Sequence, residues 1–96
     1  MQMAFIAKLV VKPEKVAEFE RIQKKLSDIT HDTEPDTLVY DFIKHREQPN
    51  TYVVYSRYKD EAAFQTHMES PSHDELVPPI LEALAEEMDL QFYDVV

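Results

Sequence analysis

Hydrophobic residues follow a different period in each part of the chain, and each period predicts an element. Residues 3–11 are mostly apolar and β-prone, which predicts a first strand. From Glu14 to about His31, apolar residues recur at steps of three and four, which predicts a helix with one apolar stripe. Pro13 suits the first turn of that helix, where no backbone N–H is needed. The stripe consists of Val16, Phe19, Ile22, Leu26 and Ile29.

The rest of the chain predicts three more strands and two more helical regions. The expected elements are strands at 37–45 and 51–58 joined by a turn at 46–50, a short helix at 61–68, a helical stretch from 70 to about 87, and a strand at 90–96. Proline lacks an N–H and clashes with the preceding helical turn. We therefore expect Pro78 and Pro79 to kink or restart the last helical stretch.

The order of these elements predicts the fold class. It is β-α-β-β-α-β, which is typical of an α+β, ferredoxin-like fold with a four-stranded antiparallel sheet. No linker, repeat or low-complexity segment divides the chain, so residues 1–96 are expected to form a single domain.

The strands carry apolar residues on both faces, which has a consequence for assembly. Phe5 and Leu9 alternate with Ile6 and Val10 along the first strand. Helices can cover only one face of a four-stranded sheet, so the other apolar face needs a cover. A second copy of the chain is the simplest one, and we expect a homodimer packed through its sheet faces.

Composition excludes several classes of function. The 96 residues include no glycine and no cysteine, and the formal net charge is −9. Without glycine the phosphate-binding loops of nucleotide-binding proteins are excluded, and without cysteine so are thiolate metal sites and a cysteine nucleophile. The negative charge argues against nucleic acid and anionic membranes as partners. The apolar run at 3–11 is too short to span a bilayer, and a cytoplasmic location is expected.

The candidate chemistry is concentrated between Tyr52 and His67. An aromatic strand there leads into a short helix that carries His67 three residues after Phe64. A free histidine titrates near pH 6.5, so His67 is either a catalytic base or a core residue with a hydrogen-bond partner. Tyr40 either packs in the core or donates a hydrogen bond to a ligand. His73 is expected at the surface or at a helix end, and its spacing from His67 gives no dependable metal site.

Several segments together resemble the antibiotic biosynthesis monooxygenase (ABM) family, and they span nearly the whole chain in the right order. They are Lys12-Pro13-Glu14-Lys15 with Phe19, Glu34-Pro35-Asp36-Thr37-Leu38-Val39-Tyr40, Tyr52-Val53-Val54-Tyr55-Ser56-Arg57-Tyr58, Asp60-Glu61-Ala62-Ala63-Phe64-Gln65-Thr66-His67, and Ser70-Pro71 with His73. The resemblance implies a dimeric ferredoxin-like α+β barrel with a small hydrophobic pocket in each subunit. Members include quinol and anthrone oxygenases that use no metal or flavin, haem-degrading enzymes, and an isomerase of a phosphorylated signalling sugar.

The chain departs from the family pattern at three positions. Asp36 stands where the family usually has glycine, Ser56 where it often has glutamate, and Tyr58 where it often has tryptophan. Two residues that are typical of the haem-degrading branch are also missing. Ala7 and His67 stand at their positions. These differences argue against haem degradation.

The leading hypothesis is therefore a monooxygenase without cofactor or metal, which oxidises a small electron-rich aromatic with O₂. His67 and Tyr40 are its candidate catalytic residues. The expected substrate pocket consists of Phe5, Phe42, Tyr52, Tyr58 and Phe64. One alternative is an isomerase of a small polar metabolite, which would place Lys8, Lys44 or Arg57 inside the pocket. The other is a dimeric ligand-binding module without catalysis, which would have no cavity beside His67.

Overall fold

The computed structural model describes residues 1–96, which form four strands and three helices. The strands are β1 (Met3–Val10), β2 (Thr37–Lys44), β3 (Thr51–Tyr58) and β4 (Asp89–Asp94). The helices are α1 (Val16–Thr33), α2 (Glu61–Met68) and α3 (Pro71–Glu82), and a single 3-10 turn, Pro13–Lys15, leads into α1. The predicted α+β, ferredoxin-like order is confirmed. None of the helices is both long enough and apolar enough to cross a membrane.

The sheet has the order β2-β3-β1-β4, and all neighbouring strands are antiparallel. Side chains alternate between its two faces. Phe5, Ala7 and Leu9 of β1 and Tyr52 and Val54 of β3 are buried against the helices. The residues between them point to the other side, which no helix covers.

Helix α1 lies on the covered face because its stripe of apolar residues packs into the sheet. Phe19 and Leu26 are completely or almost completely buried. The Phe19 ring contacts the rings of Phe42 and Tyr52, at centroid distances of 5.6 Å and 4.9 Å. These contacts join α1 to β2 and β3 at one end of the sheet.

The predicted restart of the helix at Pro78 and Pro79 is wrong, because α3 runs from Pro71 to Glu82 through both prolines. Leu76 and Ile80 lie on either side of the pair, and both are buried in the core. Their burial keeps the helix together although two backbone donors are missing. Tertiary packing outweighs local propensity here.

The end of α3 also differs from the prediction, since the helix stops at Glu82 and not near Glu87. The segment after it turns away to pair with the end of β1. The N–H of Lys12 donates to the carbonyl of Ala83, and that of Ala85 donates to the carbonyl of Val10. These long-range hydrogen bonds replace the helical ones that would have continued α3.

The turns are made with few unusual backbone conformations. Asn50, at the β2–β3 turn, is the single residue with positive φ, at 57°. Asparagine tolerates this left-handed region better than most residues. Asp36, which replaces the expected glycine, therefore forms its turn at negative φ.

Candidate functional site

A cavity of about 280 Å³ lies between the sheet and the helices, and side chains from all four strands and all three helices line it. Fourteen of its 17 lining residues are hydrophobic. The polar ones are Gln23, His67 and His73, and the phenol of Tyr40 also belongs to the lining. No lysine, arginine, aspartate or glutamate lines it. The cavity therefore suits a mostly apolar ligand with a small number of hydrogen-bonding groups.

His67 lies at the C-terminal end of α2, whose first turn is capped by the carboxylate of Asp60. Its side chain is 1% exposed, and its Nδ1 lies 2.9 Å from Oε1 of Glu34. Thr37 Oγ1 donates to the same Glu34 oxygen at 3.0 Å. Glu34 is buried just after the end of α1, so three elements meet at this carboxylate.

The hydrogen bond to Glu34 defines what His67 can do. We assign the imidazole proton to Nδ1, because an ionised carboxylate can only accept. Nε2 is then the ring nitrogen left with a lone pair for a ligand. If Nε2 takes a proton, the resulting imidazolium forms a buried ion pair with Glu34. A carboxylate that orients a histidine in this way is a common arrangement for a general base.

Tyr40 contributes a hydroxyl group beside this pair. Its ring centroid lies 5.2 Å from that of His67, and Gln23 Nε2 donates to its hydroxyl at 3.4 Å. Burial raises the pKa of Tyr40 to about 12, with the charge of Glu34 adding to the rise and the Gln23 hydrogen bond opposing it. Tyr40 therefore stays protonated at neutral pH, and it can donate a hydrogen bond but cannot act as a base.

His73 is the second histidine of the cavity. It lies in the first turn of α3, where its backbone N–H donates to Oγ of the capping residue Ser70. Its ring centroid is 5.2 Å from that of His67, with the two planes at 81°. Burial lowers the pKa of His73, and the neighbouring His67 lowers it further.

Of the seven residues predicted for the site, four line the cavity. They are Phe5, Tyr40, Phe64 and His67. Phe42, Tyr52 and Tyr58 lie in the core outside that lining.

Phe42 and Tyr52 stack on each other at 5.2 Å beside α1, and the hydroxyl of Tyr52 donates to Glu20. Tyr58 contacts Phe5 and His67 with its ring, at 6.0 Å and 5.7 Å, so it supports two residues of the lining.

Three residues of the site were not predicted from the sequence. His73, expected at the surface or at a helix end, lies in the first turn of α3 and lines the cavity. Gln23 lies four residues after Phe19 and three before Leu26, so it is a polar residue on the apolar face of α1, and this position was a usable signal. Glu34 was not identified as a partner of His67, because 33 residues separate them and only the fold brings them together.

The lining offers few ligands for a metal ion. The structure has no group of three or more His, Asp or Glu side chains arranged to hold a metal ion. His67 and His73 are the two nitrogen ligands that the lining offers.

Comparisons with known proteins give a family match and similar solved structures. Residues 3–78 match the family model described as antibiotic biosynthesis monooxygenase. No functionally curated protein matches the chain.

Solved structures similar to this chain come from several organisms. A protein of Caulobacter crescentus CB15, provisionally named as an antibiotic biosynthesis monooxygenase, superimposes with a TM-score of 0.94 at 24% identity, covering 99% of this chain and 90% of that one. A conserved protein of Methanosarcina mazei Go1 superimposes with a TM-score of 0.91 at 30% identity, covering 97% and 91%. Rv0793 of Mycobacterium tuberculosis superimposes with a TM-score of 0.92 at 18% identity, covering 100% and 96%.

The family match covers most of the chain, and it includes Glu34, Tyr40, His67 and His73. The chain therefore belongs to the antibiotic biosynthesis monooxygenase family.

Proposed function

We propose that this protein is a monooxygenase that oxidises a small, electron-rich aromatic compound such as a quinol or an anthrone with O₂, without a cofactor. The observation that carries the proposal is the histidine held by a buried carboxylate inside an apolar cavity. His67 supplies a base, and the hydrophobic lining supplies a dry site for an aromatic ring.

The first step is a proton transfer. The hydroxyl group of the substrate, or of the enol form of an anthrone, gives its proton to Nε2 of His67. The O–H bond breaks, an N–H bond forms, and the imidazolium pairs with Glu34. Tyr40 stays protonated and donates a hydrogen bond to the oxygen that becomes negative.

The substrate anion then supplies the electrons. In an anthrone, the CH₂ group loses two hydrogens and gains one oxygen atom from O₂, and the second oxygen atom leaves as water. The protein needs to supply a base, an orientation and exclusion of bulk water for this reaction.

The positions of the cationic side chains favour a neutral substrate over a phosphorylated one. Lys8 and Arg57 belong to the face of the sheet opposite the cavity, and Arg57 donates to the Gln2 side chain. Lys44 lies over the ring of Tyr52 at 5.8 Å and is more than half exposed. The alternative isomerase of a small polar metabolite would have one of them in the cavity lining, and none of them lines it.

Oxygen uptake with a panel of anthrones and hydroquinols tests the reaction. We expect His67→Ala to lower kcat by about 10²- to 10⁴-fold, because it removes the base. We expect Tyr40→Phe to lower it by about tenfold through the lost hydrogen bond. Tyr93→Phe, which removes a hydroxyl from a half-exposed ring outside the cavity, is the matched control and should keep wild-type activity.

Each outcome separates one part of the proposal from another. No uptake above the uncatalysed rate with any member of the panel contradicts the monooxygenase reaction and favours a ligand-binding module. Uptake that is equal in wild type and His67→Ala contradicts the role of His67 and keeps the reaction class.

We also propose that two copies pair through the open face of the sheet, which we define as the uncovered side formed by Ile6, Lys8, Val53, Tyr55 and Ile43 with their neighbours. Ile6 lies opposite Tyr55, and Val53 lies opposite Ile43 on the next strand. Ile6 is 37% exposed and Ile43 is 53% exposed. Adjacent exposed apolar side chains on a sheet are typical of a protein interface.

A further inference from the structure

We propose that His73 is a second ligand-contacting residue of this site, whose neutral ring donates a hydrogen bond to the same substrate oxygen that gives its proton to His67. The inference rests on the proposed function and adds a division of roles between the two histidines. His67 takes the proton, and His73 stabilises the negative oxygen that remains.

The hydrogen bonds of the two rings differ in a way that fits these roles. Nδ1 of His67 is occupied by Glu34, which fixes the ring and its tautomer. His73 is hydrogen-bonded through its backbone N–H to Ser70, and its ring is left to a ligand. Both rings line the cavity and their centroids are 5.2 Å apart. A ligand oxygen at this end of the cavity lies within reach of both.

The charges around His73 keep its ring neutral at neutral pH. Burial lowers its pKa, and His67 on α2 lowers it further, while Asp74 on α3 and Glu34 after α1 act in the opposite direction. The N-terminal end of α3 adds a partial positive charge that also disfavours an imidazolium. Tyr40 on β2, the remaining titratable group of the lining, is protonated and uncharged.

Proton transfer to His67 strengthens this arrangement. The imidazolium of His67 carries a positive charge beside His73, so a second protonation becomes less favourable. His73 keeps one N–H donor and gains no proton during the step. The negative oxygen thus faces one cation, His67, and two neutral donors, Tyr40 and His73. The proton transfer to His67 is the same as in the proposed function.

The probe for this inference is 4-nitrophenol, because its absorbance distinguishes the bound phenol from the bound phenolate. The protein is titrated with it over a range of pH in wild type, His67→Ala, His73→Ala and His73→Gln. We expect wild type to bind the phenolate below the pH at which the free probe ionises. His67→Ala should bind the probe as the phenol.

His73→Ala should still bind the phenolate, but about 10- to 100-fold more weakly, which corresponds to one hydrogen bond to a charged group. His73→Gln keeps an N–H donor and should recover most of the affinity, which a purely structural role would not predict. In wild type, the ring nitrogen resonances of His73 should shift on binding, while those of His45, in the exposed β2–β3 turn, serve as the internal reference.

The results distinguish this inference from the proposed function. Phenolate binding that depends on His67 and is unchanged in His73→Ala, with no shift of the His73 resonances, overturns the role of His73 and leaves the function intact. Absence of probe binding by wild type overturns the role of His73, and oxygen uptake with the anthrones and hydroquinols then decides the proposed function by itself. Equal loss of affinity in His73→Ala and His73→Gln, with both variants folded, also contradicts a hydrogen bond from His73.

Discussion

At the scale of single residues, two buried tyrosines of β3 differ in how their hydroxyl groups are satisfied. The hydroxyl of Tyr52 donates to Glu20. The hydroxyl of Tyr58 is buried and makes no hydrogen bond of normal geometry, although Ser56 lies near enough to oppose the rise that burial causes in its pKa. Oγ of Ser56 and Oε2 of Glu34 are also buried without a partner. Burial removes a hydroxyl group from water, and a hydrogen bond inside the protein compensates for that cost. We therefore expect the hydroxyl of Tyr52 to stabilise the fold and that of Tyr58 to destabilise it.

The pair makes a matched test. We expect Tyr58→Phe to raise the free energy of unfolding by about 1 kcal/mol and Tyr52→Phe to lower it by about 1–2 kcal/mol. Urea denaturation of the two variants beside wild type measures both changes. A loss of stability in Tyr58→Phe would mean that its hydroxyl is hydrogen-bonded in solution, and the buried polar atoms around Glu34 would then form a connected network.

At the scale of elements, the short helix α2 positions two residues of the cavity lining, Phe64 and His67. Eight residues are too few for a stable helix in isolation. Its start is held by Asp60, whose Oδ1 accepts from the N–H of Ala63 at 2.9 Å.

Removing this cap should weaken the helix. We expect Asp60→Ala to lower the free energy of unfolding by about 1 kcal/mol, which is a typical value for a lost N-cap. Gln65→Ala, at an exposed position of the same helix, is the control and should have no such cost. Thermal and urea denaturation measure the difference. Equal stability of the two variants would show that packing of Phe64 and His67 alone holds α2 in place.

Elements also show the limit of local sequence signals. The stripe along α1 is a strong periodic pattern, and β1 and β3 are rich in β-branched and aromatic residues. The structure has these elements with ends within a few residues of the prediction. The two prolines of α3 misled the prediction, since the cost of a proline is local while burial of Leu76 and Ile80 depends on distant partners.

At the scale of the whole molecule, the uncovered face of the sheet is the surface through which we propose that two copies pair. Ile6 is at its centre on β1, between Tyr55 of β3 and Gln91 of β4. If two copies pair there, a charge at this position would be buried in the interface without a partner.

We therefore expect Ile6→Lys to weaken dimerisation by at least about 100-fold, which corresponds to roughly 3 kcal/mol. Light scattering coupled to size-exclusion chromatography over a range of concentrations measures it. Gln65→Lys adds the same charge to an exposed position of α2 and should leave the association unchanged. A wild-type chain that is monomeric at micromolar concentration would contradict pairing through this face.

The sequence by itself determined the order of elements, the class of the fold and the family resemblance. The order and the class follow from periods and turn residues that are local along the chain, so they are readable without coordinates. The resemblance follows from the residues of five segments that match the family pattern in order. It also pointed to His67, Tyr40, Phe5 and Phe64, which line one cavity.

Only the tertiary structure decided which polar groups meet. Glu34 and His67 are 33 residues apart, and the packing of α2 beside the end of α1 brings them to 2.9 Å. Phe42 and Tyr52 have the same aromatic character as Phe5, but their place in the sheet puts them under α1 and outside the cavity lining. Residue type indicates what a side chain can do, and long-range packing sets what lies within its reach.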